Sequence, residues 1–465
     1  MNLKLILKNK VVKAGSWYTI SNFFSRGLSF LTIPIFTRLL STADYGVVSI
    51  YTTWVGIFTI IMTLDLKASV GRGKYDFKVD YNEFVSSVIF LSFMIFIFFL
   101  IIFNVFNDFF IQLTGLPKLL FYIMVFQAYF AFVKEYTVNK FRFEYRYKIV
   151  SIVTILMNIT GITLSVFLIL NVFQEQSYLG RIIGIASVTI LVGIFWFFYL
   201  LVRGRTLVNR EYWIYALVLS VPLVMHNVSG VINSQFDRIV INRYISDSAT
   251  GIYSFAYNIG MIITVLLVSL NQAWLPWFYD QMEKQQYKNI KQKAILYRDF
   301  FTISYLLVLF IAPELVRVMS AESFWEGLFI IPWIFMAYYF QYMYTLEVNV
   351  EFYHKKTALI SLGTIFSAAI NVILNLILVP IYGYQAAAIT TAVSYFFLFC
   401  FHYILTNKII GHTVFGLVFH IKSLMYLMLI TMLYLILREL IFVRLIVLII
   451  ISIAFFFNKK VQKLI

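Results

Sequence analysis

Apolar residues fill nearly the whole chain in runs of about twenty, separated by short polar breaks. A helix needs ~20 apolar residues to cross a bilayer. Residues 14–457 divide into fourteen such runs: 14–38, 43–66, 84–106, 118–138, 149–172, 178–202, 212–237, 248–271, 297–318, 326–350, 357–380, 382–406, 415–437 and 441–457. In hydrocarbon only helices or closed barrels satisfy their own backbone. The pattern therefore predicts an all-α integral membrane protein of about fourteen transmembrane helices, with little room for a soluble domain.

Composition agrees. The 465 residues are 62% hydrophobic and 12% charged, against about 25% charged in soluble domains. The net charge of +16 is large enough to raise a nucleic-acid partner, but its distribution argues otherwise. When the breaks between runs are numbered alternately, one set holds twenty-five Lys and Arg, among them Lys4, Lys74, Arg142, Arg205, Lys291 and Lys460; the other set holds seven. The positive-inside rule then places both termini in the cytoplasm. An odd number of spans would scramble that alternation, so the charges support the count of fourteen independently of hydropathy. The basic N-terminus runs into a long apolar segment without a small-residue cleavage site and reads as an uncleaved first helix.

A repeat underlies the runs. Asn22, Ser29, Arg38, Ser41, Gly46 and Ser49 recur 205 residues later as Asn227, Ser234, Arg243, Ser246, Gly251 and Ser254. Tyr136, Thr137, Val138, Tyr145 and Lys148 return near an offset of 208 as Tyr344, Thr345, Leu346, Tyr353 and Lys356. One six-span unit used twice gives two pseudo-symmetric lobes, residues 1–205 and 206–410, with spans 13–14 (411–465) unmatched. Six is even, so both units enter the membrane in the same sense, about an axis along the membrane normal. Arg203–Glu211 is a short basic linker between them. Residues 275–295 begin with aromatics and continue with lysines, which suits either a helix on the membrane surface or an ordinary polar loop.

Charges inside apolar runs carry the functional signal. Arg26 lies in the middle of the first run and Asp237–Arg238 near the end of the seventh. A charge at membrane depth costs roughly 2.5–3.5 kcal/mol on insertion scales and is kept where it faces water or a partner. Asn22, Ser25, Arg26 and Ser29 fall on one helix face at three- and four-residue spacing. His226, Asn227, Asn233, Ser234 and Asp237 make a comparable stripe in the seventh run, and Tyr253, Tyr257 and Asn258 continue it in the eighth. Lipid satisfies none of these groups. They face either neighbouring helices, through hydrogen bonds of ~0.6 kcal/mol each, or a polar cavity; Arg26 favours the cavity and an anionic cargo. Other interior charges are Asp65, Lys134, Glu135, Glu347 and Lys422. Asp65 with Lys67, and Lys422, stand near span ends where snorkelling accounts for them. Asp237–Arg238 serves either as an ion pair or as a gate. Pro34 and Pro222 give the first and seventh helices places to bend, and Pro332 and Pro380 interrupt the tenth and end the eleventh.

Enzyme signals are missing. The chain has no GxxxxGK[ST] loop, GxSxG elbow or HExxH pair. Its single cysteine, Cys400, implies no disulfide framework, and no Cys/His spacing suits a metal. The residues favour a transporter without a cofactor.

Three strings sharpen the picture: IPIFTRLLSTADYG (33–46), SQFDRIVINRYISDSATGIYSFAYNI (234–259) and NVILNLILVPIYGYQAAAITTAVSYF (371–396). They resemble the Wzx-type O-antigen and capsular polysaccharide repeat-unit flippases, of the multidrug/oligosaccharidyl-lipid/polysaccharide exporter superfamily, over most of residues 10–410. The resemblance implies a V-shaped fold of two lobes like that of the multidrug exporters, with a central cavity. It implies as cargo an oligosaccharide on undecaprenyl diphosphate, turned from the cytoplasmic to the outer leaflet of a bacterial cytoplasmic membrane by alternating access. Arg26 then matches the family's cationic first-span position, with Lys134 and Arg238 as weaker matches and Asn22, Ser29, Asn227, Asn233 and Tyr257 lining the path. An arginine fork suits a diphosphate. Proton or sodium coupling would use Asp65, Glu135 or Asp237. A polysaccharide polymerase and chain-length proteins are the implied partners. Related alternatives are a lipid II-type flippase and a multidrug cation antiporter; a scaffold without transport is a third.

Overall fold

The computed structural model describes residues 27–28, 30–408 and 414–456, with side chains of the last helix as far as Ile451. Every regular element among them is helical. The helices are α1 (Phe30–Leu39), α2 (Thr42–Thr63), α3 (Ser69–Asp76), α4 (Tyr81–Val105), α5 (Asn107–Thr114), α6 (Lys118–Phe143), α7 (Tyr147–Asn171) and α8 (Ser177–Gly204). After these come α9 (Arg210–Tyr244), α10 (Asp247–Glu283), α11 (Tyr287–Met319), α12 (Ile331–Tyr353), α13 (Thr357–Tyr382), α14 (Tyr384–Lys408), α15 (Leu417–Leu437) and α16 (Ile441–Phe456). Eleven of the described helices are long and apolar enough to cross a membrane. With α1, α12 and α16 they occupy the places of the runs read from the sequence.

The chain divides into two compact units, residues 1–239 and 240–465, and α9 runs through the boundary. In the first unit α8 packs against α7, α6 and α4, and α2 against α6. Its interior is rich in aromatics: Phe58, Phe103, Phe110 and Phe121 meet ring to ring, and Phe96 stacks on Tyr129 at 4.3 Å. Lipid tails are as apolar as these side chains, so close fit decides the packing. Gly180 and Gly184 on α8 show it. A Cβ at Gly184 would come 2.6 Å from the Ser165 backbone of α7, and one at Gly180 2.8 Å from that of Ile169. In the second unit α12 is the central helix, packed on α14, α10, α11, α15 and α13. Asn371, Asn375, Thr390 and Thr391 join α13 to α14 through a buried ladder of hydrogen bonds of 2.9–3.2 Å.

Helix termini carry the internal repeat into three dimensions. Ser41 caps α2 by accepting from the Asp44 N–H, within a full capping box. Ser246, 205 residues on, caps α10 by accepting from Ala249. The turn after α6 and the turn after α12 also match. Tyr145 and Lys355 both adopt left-handed φ (57° and 60°). The following N–H groups, of Arg146 and Lys356, reach back to the carbonyls of Phe141 and Glu351.

Two expectations change. Residues 275–295 are neither a surface helix nor a loop: α10 continues through Pro276 to Glu283, a short turn follows, and α11 begins at Tyr287. Helical propensity at the aqueous ends of the spans is enough to extend them past the bilayer. Pro332 opens the first turn of α12 instead of interrupting it, the position where proline lacks only an N–H that would be orphaned anyway.

Candidate functional site

The first unit holds a charged node at the end of α2. The helix stops at Leu64, and Leu64 and Asp65 both take left-handed backbone angles (φ 46° and 49°). Aspartate tolerates that region; for leucine it is strained by about 1–2 kcal/mol. The reversal turns the Asp65 carboxylate inward, where the residue is 3% exposed. Lys67, two residues on in a single 3-10 turn, places its ammonium 3.3 Å from Asp65 and 2.7 Å from Glu135 of α6. Asn227 of α9 donates to the other Asp65 oxygen at 2.7 Å. One node thus ties α2, α6 and α9 within the first unit. Burial pushes the Asp65 carboxyl above the ordinary aspartate range, with Lys67 and Asn227 pulling it partly back. Burial also disfavours the Lys67 ammonium, but Glu135 and Asp65 outweigh it and hold its pKa above the usual lysine value.

The snorkelling expected of Asp65 is thereby corrected. Its carboxylate is enclosed and paired, because the left-handed turn points it at α9 instead of along the helix toward water. Glu135, expected as an interior charge of α6 and a candidate for ion coupling, pairs with Lys67. Lys134 beside it is half-buried.

The node matters because it adds a tie to a buried carboxylate at the middle of α9. Ile214, Val218, Val221 and Met225 are exposed along it, and Pro222 lies inside it. Its ties to the first unit are apolar and polar: Tyr212 and Ala216 lie in the core, Tyr212 and Tyr215 meet Phe77 and Phe84 ring to ring, and hydrogen bonds add to these. The Tyr215 hydroxyl donates to Asp76 (2.6 Å), the Trp213 indole to the Ser87 carbonyl (3.0 Å), Asn227 to Asp65, and Thr53 of α2 to Gln235 (3.2 Å).

The remaining expected residues are distributed as follows. Arg26, Asn22 and Ser29 lie outside the described residues. Asp237 and Asn233 on α9 are buried, as is Arg238, which donates to the Ser234 carbonyl at 3.0 Å. Tyr257 on α10 is buried between the rings of Tyr253 and Tyr338, at 5.7 Å from each. Of the expected set, the structure brings together Asp65, Glu135 and Asn227.

Sequence reasoning missed a second group. In the second unit Glu351 pairs with His402 (2.8 Å) and Glu347 with His420 (2.7 Å), all four residues being at most 2% exposed. Arg444 of α16 is likewise buried and grips Glu314 of α11 through two bonds of 3.0 and 2.6 Å. Glu347 and Glu351 stand one helical turn apart, a spacing visible in the chain; the partners on other helices were not.

Known proteins now frame these sites. The family described as "Polysaccharide biosynthesis protein" matches residues 11–282. A protein of the Lsg locus of Haemophilus influenzae is 24% identical over 78% of this chain and 90% of its own. The "Probable low-salt glycan biosynthesis flippase Agl15" of Haloferax volcanii is 22% identical over 81% of this chain and 79% of its own. Among solved structures, a lipid II flippase MurJ in an inward closed conformation superposes with TM-score 0.71 at 19% identity, covering 94% of this chain and 98% of that one. An inward-facing multidrug exporter of the same superfamily reaches 0.56 at 14% identity, over 82% and 97%. These likenesses show the fold: an all-α multi-pass membrane protein. The family pattern spans more than half of the sequence, and the chain belongs to the polysaccharide biosynthesis protein family.

Proposed function

We propose that the protein turns undecaprenyl-diphosphate-linked oligosaccharide repeat units from the cytoplasmic to the outer leaflet of a bacterial cytoplasmic membrane, for a surface polysaccharide such as capsule or O-antigen. Family membership over residues 11–282 carries the reading. The relative named as a glycan biosynthesis flippase, aligned over most of both chains, supports it. A diphosphate cannot cross hydrocarbon unaided, and a chain with Arg26 at span depth offers it a counter-charge. Alternating access then needs a helix that changes its attachments. α9, held to Asp65 by Asn227 and carrying Pro222 within it, suits that role. In this scheme both termini face the cytoplasm and the lysine-rich loops lie on that side.

Complementation of a flippase-null strain tests the reading. Wild type is expected to restore surface polysaccharide, Arg26→Lys to restore part of it and Arg26→Glu none. Full activity of the Glu variant would refute the phosphate role. Proteoliposomes that move a cationic dye, but not a fluorescent polyprenyl diphosphate, would assign the protein to drug export instead.

A further inference from the structure

The Glu351–His402 and Glu347–His420 pairs have no part in the transport scheme above, yet they are the most enclosed ionisable groups of the second unit. Both carboxylates project from α12 one turn apart, about 6 Å along the axis. Their partners come from α14 and α15. Each histidine uses one ring nitrogen, His402 its Nδ1 and His420 its Nε2. An ionised carboxylate only accepts, so the facing nitrogen carries the hydrogen. The other nitrogen of each ring, His402 Nε2 and His420 Nδ1, finds no hydrogen-bond partner among the described residues, nor does Glu351 Oε2.

Charge then decides what the pairs do. Neutral imidazole beside a carboxylate leaves one negative charge per pair in an apolar interior, which is unfavourable. A proton on the open nitrogen makes an imidazolium–carboxylate pair with no net charge. Histidine is the side chain whose charge changes between about pH 5 and 8; a purely structural tie would be served by amides. The surroundings leave the open nitrogen of His402 unobstructed. It faces α13 at Gly363, where a Cβ would lie 2.7 Å from Nε2. α13 brings no ionisable side chain except the terminal Tyr382. Titratable or charged groups near the pairs on the packed elements include Tyr344, stacked on His402 and on Tyr395; Tyr403 against His420; Cys400 on α14; Tyr339 and Tyr342 on α12; Arg298, paired with Asp299, on α11; Tyr279 on α10; and Lys422 and Tyr426 on α15. A proton on His402 Nε2 would also create a buried N–H without an acceptor in this arrangement, which favours a shift of α13 against α14. Charge state and helix packing are coupled at this point. Glu351 stands two residues from the end of α12, beside the turn that carries Lys355 and Lys356, so water is within a few ångströms along the helix.

We propose that the Glu351–His402 and Glu347–His420 pairs are a proton-binding site whose loading and release drive the transport cycle. The coupling to transport rests on the flippase reading; the proton binding does not.

Two measurements on the purified full chain separate them. The first is the number of protons bound by protein in detergent across a full acid–base titration, compared with His402→Gln/His420→Gln; wild type is expected to bind about two more, one per pair. Equal uptake overturns the proposal. The second is the flipping of a fluorescent polyprenyl diphosphate in proteoliposomes with and without an imposed pH gradient. Wild type is expected to respond several-fold, and the double variant to flip at the gradient-free rate under both conditions. An unchanged response in the variant, or none in wild type that does flip, overturns the coupling. No flipping by wild type refutes the flippase reading and leaves proton binding to be decided by the uptake. If the double variant fails to fold, Gly363→Ala, which crowds His402 Nε2 while keeping all four side chains, is expected to remove about half of the extra uptake; full uptake there overturns the role of His402.

Discussion

α6 in the first unit and α12 in the second end in the same left-handed turn, and each carries buried or half-buried glutamate within its last three turns, but the partners differ in kind. Glu135 meets a lysine, Glu347 and Glu351 meet histidines. Lysine is charged at every physiological pH, so the first unit's node is a permanent electrostatic tie among three helices. In the proposed scheme the open ring nitrogens of His402 and His420 take up and release the protons of the second unit. Two helices that end alike thus carry a lysine-paired glutamate in one unit and histidine-paired glutamates in the other, at positions that do not coincide in the repeat.

The strongest way to break the comparison is Lys67→Met. It leaves Asp65 enclosed with no cation, and unpaired buried charges cost about 3–5 kcal/mol. Solvent access to Glu135 brings the expected loss to the lower end of that range, with transport abolished. A fall in thermal midpoint, reversed by adding Asp65→Leu and Glu135→Gln, would confirm a tie whose parts depend on each other. Asn227→Leu is expected to cost about 1–2 kcal/mol by orphaning one Asp65 oxygen, read as a lower denaturation midpoint together with slower flipping. Glu347→Leu with His420→Phe takes out a whole pair. Such replacements are often neutral or stabilising by ~1 kcal/mol, so this variant should keep its thermal midpoint while losing part of its pH response. A large drop in stability would make the pair a structural tie like the first unit's.

pH sharpens the contrast. The folded state holds the Asp65 proton more tightly than the unfolded chain, so this group's contribution falls as pH rises just above the ordinary aspartate value and is constant beyond. Lys67 also binds its proton more tightly when folded; its contribution is full below the ordinary lysine value and is lost only as pH rises through the raised one. Lys67 is the largest influence holding the Asp65 carboxyl down, so its removal raises that carboxyl further; the stability deficit of Lys67→Met should grow as pH rises above the ordinary aspartate value, and a deficit that shrinks with rising pH would sink the assignment. The smallest effect is expected from Arg72→Gln. The Arg72–Asp76 pair is exposed, and such pairs contribute about 0–1 kcal/mol; its midpoint should hardly move.

Much of this was legible along the chain. The helical class and the places of the spans were, because a bilayer imposes one length and one polarity on every crossing. The capping serines Ser41 and Ser246 were visible as identities at one offset, since a cap is a local contact. Helix ends were less legible: 275–295 looked like a separate segment because hydropathy falls where helical hydrogen bonding continues.

Sites divided by the same rule. That Asp65, Glu135 and Glu347 sit in apolar surroundings could be read from their neighbours in the chain. Their partners could not, because Lys67 reaches Glu135 across 68 residues, His420 reaches Glu347 across 73, and nothing local specifies such a pairing. Two left-handed residues turned Asp65 inward, against the expectation that it would reach for water. The sequence by itself determined that charge would be buried in this membrane protein and on which helices. Only tertiary packing decided which cation met each carboxylate, and with it whether the charge was permanent or open to a proton, because that depends on contacts between helices far apart in the chain.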